Sequence, residues 1–463
     1  MFKLQIKYLS FFFGIVSILS FFNILYSYYF NLYLNLDTYY FTLLASFILF
    51  ITFFKFGKYD IKSNIFQKIL TIFLGYLLIP LVLSIPFYFS IYNLTFSNSF
   101  FEAISGFTST GFTVFDNIKL IDQSLVIWRS SIQWIGGLYF LFSIIYLIDI
   151  YDDSFKKTLT NYISFNSSEI LKQAAKIFIL YSSLTIMIFI ILNIFSIRTF
   201  DSLNLALTII SSGGFLPVNE LSTIIKENAQ IIIFSLLMLF SFFSLFFSYN
   251  LIFLRKKNIN FFYEDLHLLI YLVVVVTIFF LFFSFNFDFF INLFAIVSSM
   301  TNIGFSLNSG QENLNFIYLI LVIIGGSFFS TSSGLRFIKI YSLFKFSLNQ
   351  ILSFSRPKNV FMNKLIFTKI NFNLDEINKY FLTIIIFILS LFILTSLLSL
   401  SGITFVNSFK LSILTLMNTV NSSIYGLKEF DFYNLQLFSK YCIIFFMIVG
   451  RIELLTILFL IKK

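Results

Sequence analysis

The octapeptide GFTSTGFT, Gly106 to Thr113, is one residue short of a phosphate-binding loop, since a lysine at position 112 would complete G-x4-G-K-T. Phe112 stands there instead, so the cation that reaches the phosphates is missing and nucleotide chemistry is set aside. The spacing serves another chemistry, because it recurs. FEAISGFTSTGF (101–112), NLALTIISSGGF (204–215), FAIVSSMTNIGF (294–305) and LMNTVNSSIYGL (416–427) align without gaps on Gly111, Gly214, Gly304 and Gly426, with a hydroxyl residue three positions earlier at Thr108, Ser211, Thr301 and Ser423. Each apolar stretch thus ends in a four-residue turn: Thr108, Ser109, Thr110, Gly111; Ser211, Ser212, Gly213, Gly214; Thr301, Asn302, Ile303, Gly304; and Ser423, Ile424, Tyr425, Gly426. One such segment alone reads as a helix with a glycine cap. Four in register imply more: glycine supplies the positive φ that turns the chain back with its carbonyls toward a common axis. A ring of carbonyls replaces the hydration shell of a cation such as K+. The hydroxyls add a ligand to that ring or tie the loop down.

Elements able to hold such turns at depth are those of a membrane protein. Of 463 residues 59% are hydrophobic and 11% charged, and 72 are Phe, outside the range of water-soluble domains. Apolar segments of bilayer length fall near 8–30, 38–55, 68–93, 126–149, 174–197, 229–254, 266–286, 314–347, 379–401 and 434–461. The four turn-bearing segments lie between the third and fourth, fifth and sixth, seventh and eighth, and ninth and tenth of these. The predicted fold is therefore all-α and integral to the membrane: four pseudo-repeated units of helix, pore loop and helix around one central pore, preceded by two extra transmembrane helices. The boundaries are 1–66 for the two-helix extension, 67–150, 151–258, 259–347 (with an intramembrane loop) and 348–463 for the four repeats. Short helices that stop halfway aim the negative ends of their dipoles inward and attract a cation, and non-helical backbone is tolerated at that depth only in protein or along a water-filled path.

Lys3 and Lys7 precede the first apolar run without a small-residue cleavage site, which reads as an uncleaved first span. Basic residues then favour one face by about three to one, with Lys55, Lys58, Lys62, Lys68, the Arg255-Lys256-Lys257 cluster, Lys339 and Arg356 among those on the majority side, placing both termini in the cytoplasm. All four short segments then enter from outside. The net charge of +10 is spread between apolar runs, so it gives no nucleic-acid face. His267 and Cys442 are each the lone residue of their type, which removes a His-rich metal site and an internal disulfide.

Two further features call for explanation. GGSFFSTSSGLRF (325–337) interrupts a segment about 34 residues long, more than a straight crossing needs, and reads as either a packing kink or an unwound loop. Arg451 lies within the last span, where it either faces a cavity or snorkels from a helix end; Glu453 lies on another part of the same helix surface and is a weaker candidate. A multi-pass enzyme acting on glycans or lipid-linked substrates would need clustered acids. Glu102, Asp116 and Asp122 offer some, but they equally suit a cation-attracting vestibule, and a fourfold repeat has no role in such an enzyme.

FFEAISGFTSTGFT, WRSSIQWIGG (128–137), GGSFFSTSSGLRF and GRIELLT (450–456), in this order, are similar to the signatures of the Trk/Ktr/HKT superfamily of potassium transporters, and of its ten-span TrkH type, over most of the chain from about 68 to 463. The resemblance implies K+ uptake through the four turns in a bacterial cytoplasmic (inner) membrane, and no cofactor; one glycine per turn gives few carbonyl sites, so K+ and Rb+ are expected to be preferred with Na+ imperfectly excluded. It implies a gate under the filter formed by Gly325, Gly326, Ser327, Ser330, Thr331, Ser332, Ser333, Gly334 and Arg336, with Arg451 just below the filter opposing ion passage. It further implies a homodimer on a cytosolic nucleotide-binding regulatory subunit. The chain has no G-x-G-x-x-G of its own, and its basic loops suit either that subunit or anionic membrane lipids. Gly111 speaks for K+, since serine at this place accompanies Na+ permeability in plant members; a Na+-permeable or Na+-coupled K+ transporter is the alternative. Phe328, Phe329, Ser333 and Tyr425 depart from the family pattern.

Overall fold

The computed structural model describes residues 7–57, 65–147, 170–252, 263–283, 289–307, 314–354, 374–427 and 430–452. Among these every regular element is helical, and the one β-type pairing is an isolated parallel bridge between Ile324 and Leu335. Lys3, Lys58, Lys62, the 255–257 cluster, Arg356 and Glu453 lie outside the described residues.

Helices α1 (Lys7–Tyr29) and α2 (Leu36–Phe56) form an antiparallel hairpin. Its polarity is inverted relative to a water-soluble pair: Ser20, Asn23, Thr38, Thr42 and Ser46 are buried, whereas Phe41, Leu44, Phe47 and Ile48 are exposed. Apolar residues outside and small polar ones between helices are what a lipid surround selects. The Ser20 and Thr42 hydroxyls donate to carbonyls one turn back, Val16 and Thr38, at 2.9 and 2.7 Å. Six described helices are long and apolar enough to cross a membrane: Lys7–Tyr29, Leu36–Phe56, Ile65–Tyr88, Ala174–Ile194, Tyr263–Phe282 and Glu376–Leu400.

The remaining chain repeats one sequence of elements. α3 (Ile65–Leu83) continues past Ser84 into a single turn, α4 (Ile85–Tyr88), and is followed by the short α5 (Phe96–Phe107) and the long α6 (Gln123–Tyr146). Next come α7 (Ile170–Ile194), the short α8 (Thr199–Ile210), then α9 (Asn228–Phe242) and α10 (Leu245–Ile252). α11 (Tyr263–Phe283) and the short α12 (Phe289–Met300) precede α13 (Asn315–Ile323) and α14 (Phe337–Ser353). The series ends with α15 (Leu374–Leu400), the short α16 (Phe405–Leu416) and α17 (Leu437–Ile452). Neighbouring units touch through α6 and α8, α9 and α12, α13 and α16, and α17 and α5, which closes a ring in which the second and fourth units face each other.

The span expected over 229–254 is two helices, not one. Backbone at Phe243 is extended, and the carbonyls of Ser241 and Phe242, freed by the break, accept from the amides of Ser332 and Ser327 at 3.0 and 2.9 Å. The intramembrane loop of the third unit thus takes over the orphaned hydrogen bonds of the second. α6 is buried along nearly its whole length and braces the centre. Trp128 Nε1 donates to the Leu83 carbonyl at 3.1 Å, Trp134 Nε1 to Thr185 Oγ1 at 3.0 Å and the Tyr139 hydroxyl to the Ile72 carbonyl at 3.0 Å.

Candidate functional site

The four short helices are each 12 residues, about 18 Å at helical rise, roughly half a bilayer core. Each ends alike. Two residues beyond the last helical one sits a non-glycine residue in the left-handed region: Ser109 (φ 57°), Ser212 (φ 55°), Asn302 (φ 59°) and Asn418 (φ 46°). The amide after it bonds back into the last turn in the first, second and fourth units: Thr110 to Ser105 O at 2.9 Å, Gly213 to Thr208 O at 2.8 Å and Thr419 to Leu414 O at 3.0 Å. In the third, Gly304 N bonds to Ser298 O at 3.1 Å. These are left-handed helix caps satisfying the last carbonyls.

This register moves the fourth turn. The residues equivalent to Gly111, Gly214 and Gly304 are followed in the fourth unit by Val420, not Gly426. The expected turn Ser423, Ile424, Tyr425, Gly426 instead forms a short 3-10 helix downstream, with Gly426 (φ 69°) closing it beside Asn315 and Lys410, and Tyr425 buried with its hydroxyl 3.3 Å from Ser299 Oγ. The fourth turn is therefore Met417, Asn418, Thr419 and Val420. Aligning on glycine misplaced it because this unit has none at that position. The equivalence of Asn418 with Asn302, each just beyond a 12-residue apolar helix, was the available signal.

Gly111, Gly214, Gly304 and Val420 converge at the floor of a cavity of about 830 Å3. Its wall takes residues from all four units, among them Thr113, Asn219, Ser306 and Ser422. A Cβ on Gly111 would lie 2.6 Å from the Gly214 Cα, so the first and second turns touch backbone to backbone. Of the three carboxylates expected around a vestibule, only Asp116 lines the cavity, joined there by Glu220 and Asp431. Burial pushes the Asp431 carboxyl up, but N–H groups of Asn434 and Tyr433 and the Lys440 charge outweigh it and hold it below its ordinary value. Asp122 caps α6 instead, accepting from Ser124 N at 3.4 Å.

Glu102 is fully buried behind the first turn. It meets Arg129 Nε at 2.8 Å and accepts from Val114 N at 2.9 Å and Thr113 Oγ1 at 3.1 Å, while Arg129 Nη2 donates to Thr113 Oγ1 at 2.9 Å. The guanidinium carbon lies 4.2 Å from the Phe215 ring centroid. The pair thus holds the chain leaving the first turn against the second, a role that no spacing in the sequence announces.

The left-handed residues also link one turn to the next. Ser212 Oγ donates to Thr301 O at 2.7 Å, Asn302 Nδ2 to Thr419 Oγ1 at 3.3 Å and Asn418 Nδ2 to Thr110 Oγ1 at 3.0 Å. Between the first and second units the link is made by Gln133 of α6, whose Oε1 accepts from Phe215 N at 3.2 Å. Asn418 Nδ2 also donates to Met447 O at 2.9 Å. Asn418→Leu is expected to lose both bonds and force a branched side chain into the left-handed region, together about 2–4 kcal/mol. Asn418→Gly, which keeps the backbone, should lose less; thermal unfolding in detergent measures both, and equal losses would refute the backbone part.

Below the turns, the loop between α13 and α14 is pinched at its neck, with Gly325 N donating to Leu335 O at 2.9 Å and Leu335 N to Ile323 O at 3.0 Å. Its tip reaches two units: Thr331 Oγ1 donates to Ile210 O at 2.7 Å and Ser332 Oγ to Asn302 Oδ1 at 2.8 Å. Arg336 Nη1 binds the loop's own oxygens, Ser327 O, Ser330 Oγ and Ser332 O, at 3.1, 3.2 and 2.9 Å. Gly326 N donates to Ser332 Oγ at 3.2 Å, and Gly334 (φ 81°) lies against Gly325. Phe328 and Phe329 are buried to the side, Phe329 stacked on Phe246 at 5.1 Å and Phe328 N donating to Glu264 at 2.8 Å. Glu264 and the neighbouring Asp265, which accepts from Ser244 N and Oγ at 2.8 and 2.7 Å, went unnoticed in the sequence because they sit at a helix start like ordinary first-turn acids.

Arg451 does not snorkel. It is 1% exposed, its Nη1 donates to Ser333 Oγ and its Nη2 to Ser109 Oγ at 3.4 Å, and its guanidinium carbon lies 4.2 Å from the Phe140 ring centroid. It therefore bridges the loop and the first turn.

No protein-family model matches the chain. It is 26% identical to an uncharacterized cation transporter of Methanocaldococcus jannaschii, over 69% of this chain and 67% of that protein. It is 23% identical to the Trk system potassium uptake protein TrkH of Salmonella typhimurium, over 87% of this chain and 86% of the relative. Among solved structures, the potassium transporter TrkH from Vibrio parahaemolyticus superposes with a TM-score of 0.83 at 18% identity, covering 99% of this chain and 98% of that one, which is a likeness of fold. In fold, in its repeated turns and in sequence, the chain is thus similar to Trk-type multi-pass membrane transporters.

Proposed function

We propose that this chain takes up K+ across a cytoplasmic membrane through a filter formed by the turns Thr108–Gly111, Ser211–Gly214, Thr301–Gly304 and Met417–Val420. The observation that carries the reading is the convergence of four half-length helices, C-terminal ends inward, on one floor beneath a cavity lined by Asp116, Glu220 and Asp431. Relatives named as potassium uptake proteins supply the ion. The 325–336 loop, hydrogen-bonded to the third turn and to the helix end that precedes the second, and bridged to the first by Arg451, is the gate. Four units bounded near 67–150, 151–258, 259–347 and 348–463, a homodimer, cytoplasmic termini and a separate nucleotide-binding regulatory subunit complete the proposal. The transporter names of the relatives set the enzyme reading aside.

The test is 86Rb+ uptake, with K+ and Na+ as competitors, in cells lacking their own K+ uptake systems. Competition by K+ far exceeding that by Na+ is expected; equal competition would favour the Na+-permeable alternative, and no uptake from well-expressed protein would refute transport. Gly111→Ser must place a side chain at φ 86° against the Gly214 Cα, so the second turn has to yield. We expect the K+ over Na+ preference to fall by about tenfold, equivalent to about 1.4 kcal/mol. An unchanged ratio in folded protein defeats the filter assignment.

A further inference from the structure

Resting on the filter reading above, we infer that the Val420 side chain is an apolar constriction standing in the ion path and limiting its throughput. The second and fourth units face each other across the ring, yet a Cβ on Gly214 would lie 2.9 and 3.0 Å from the two methyl carbons of Val420. A Cβ on Gly304 would lie 2.9 Å from the nearer methyl and 2.9 Å from the Val420 carbonyl oxygen. The isopropyl group therefore reaches across the floor of the cavity and wedges between the second and third turns. The other three corners are glycine and present only backbone there. Methyl groups offer a partly dehydrated cation no ligand, and apolar narrowings in pores act as barriers for that reason. Val420 also stays outside the left-handed region, so its backbone has no need of glycine and the side chain is free to vary in size.

The experiment is a size series, Val420→Gly, Val420→Ala and Val420→Ile with the unaltered chain, each purified at full length, checked for a single size-exclusion peak and reconstituted into liposomes for 86Rb+ uptake with K+ as competitor. Initial rates should rank Gly, Ala, Val, Ile from fastest to slowest, with glycine at least about tenfold above the unaltered chain, a barrier lower by about 1.4 kcal/mol. Because alanine removes only two methyl groups, its rate keeps the test meaningful should glycine loosen the turn. K+-sensitive uptake equal within a factor of about two across the series would overturn the constriction and leave K+ transport standing. Uptake no greater than in empty liposomes for all four proteins would overturn both.

Discussion

Glu102→Gln is expected to cost the protein about 3–5 kcal/mol, because it leaves the Arg129 guanidinium as an uncompensated charge in a site where both side chains are at most 1% exposed. Arg129→Met should cost a similar amount by stranding the carboxylate. The double variant Glu102→Gln, Arg129→Met removes both charges together, so its loss should be well below the sum of the two. The carboxylate also holds Val114 N and Thr113 Oγ1 just beyond Gly111, so the single variants should lose ion discrimination along with stability. Thermal unfolding and competition uptake on the three proteins decide it. Additive losses would mean that the pair contributes nothing as a pair.

The second large effect is expected at Arg451. Replacement by alanine removes a side chain that donates both to Ser333 of the loop and to Ser109 of the first turn, and takes away a positive charge beneath the four helix ends. Ion passage should rise by about tenfold, since barrier and bridge disappear together. Ser333→Ala breaks only the loop contact and should give a smaller rise in the same direction. A fall in K+-sensitive 86Rb+ uptake in folded Arg451→Ala protein would show that the arginine supports conduction.

Much of this arrangement could be read before any coordinates. The excess of Phe, the alternation of long and half-length apolar runs and the glycines at 111, 214 and 304 follow from composition and spacing, because bilayer thickness sets the runs and backbone conformation, at 111 and 304, or close packing, at 214, sets the glycines. The fourth turn was not legible by the same rule. The chain turns there without glycine: Ser and Asn take the left-handed position in all four caps, and Val420 occupies the corner. Nor could the fate of Glu102 be read. An acid 27 residues from an arginine along the chain looks like a vestibule charge until packing folds Arg129 over it. The break between α9 and α10 escaped for a related reason: its cause is the hydrogen-bonding demand of a loop some 80 residues away.

Of the four corners, Gly111 (φ 86°) and Gly304 (φ 80°) lie in the left-handed region, while Gly214 and Val420 do not. One diagonal of the floor is thus fixed by backbone conformation and the other only by room. Along the first, any side chain is strained whatever the room. Along the second, volume can be exchanged: a descendant that shrinks position 420 to glycine gains the space for a methyl group at 214, and one that enlarges 214 must first empty 420. Because all four corners are written in one chain, unlike an assembly of identical subunits, such a trade can proceed at two corners without touching the other pair, and a lineage can rework half of the floor and keep the rest.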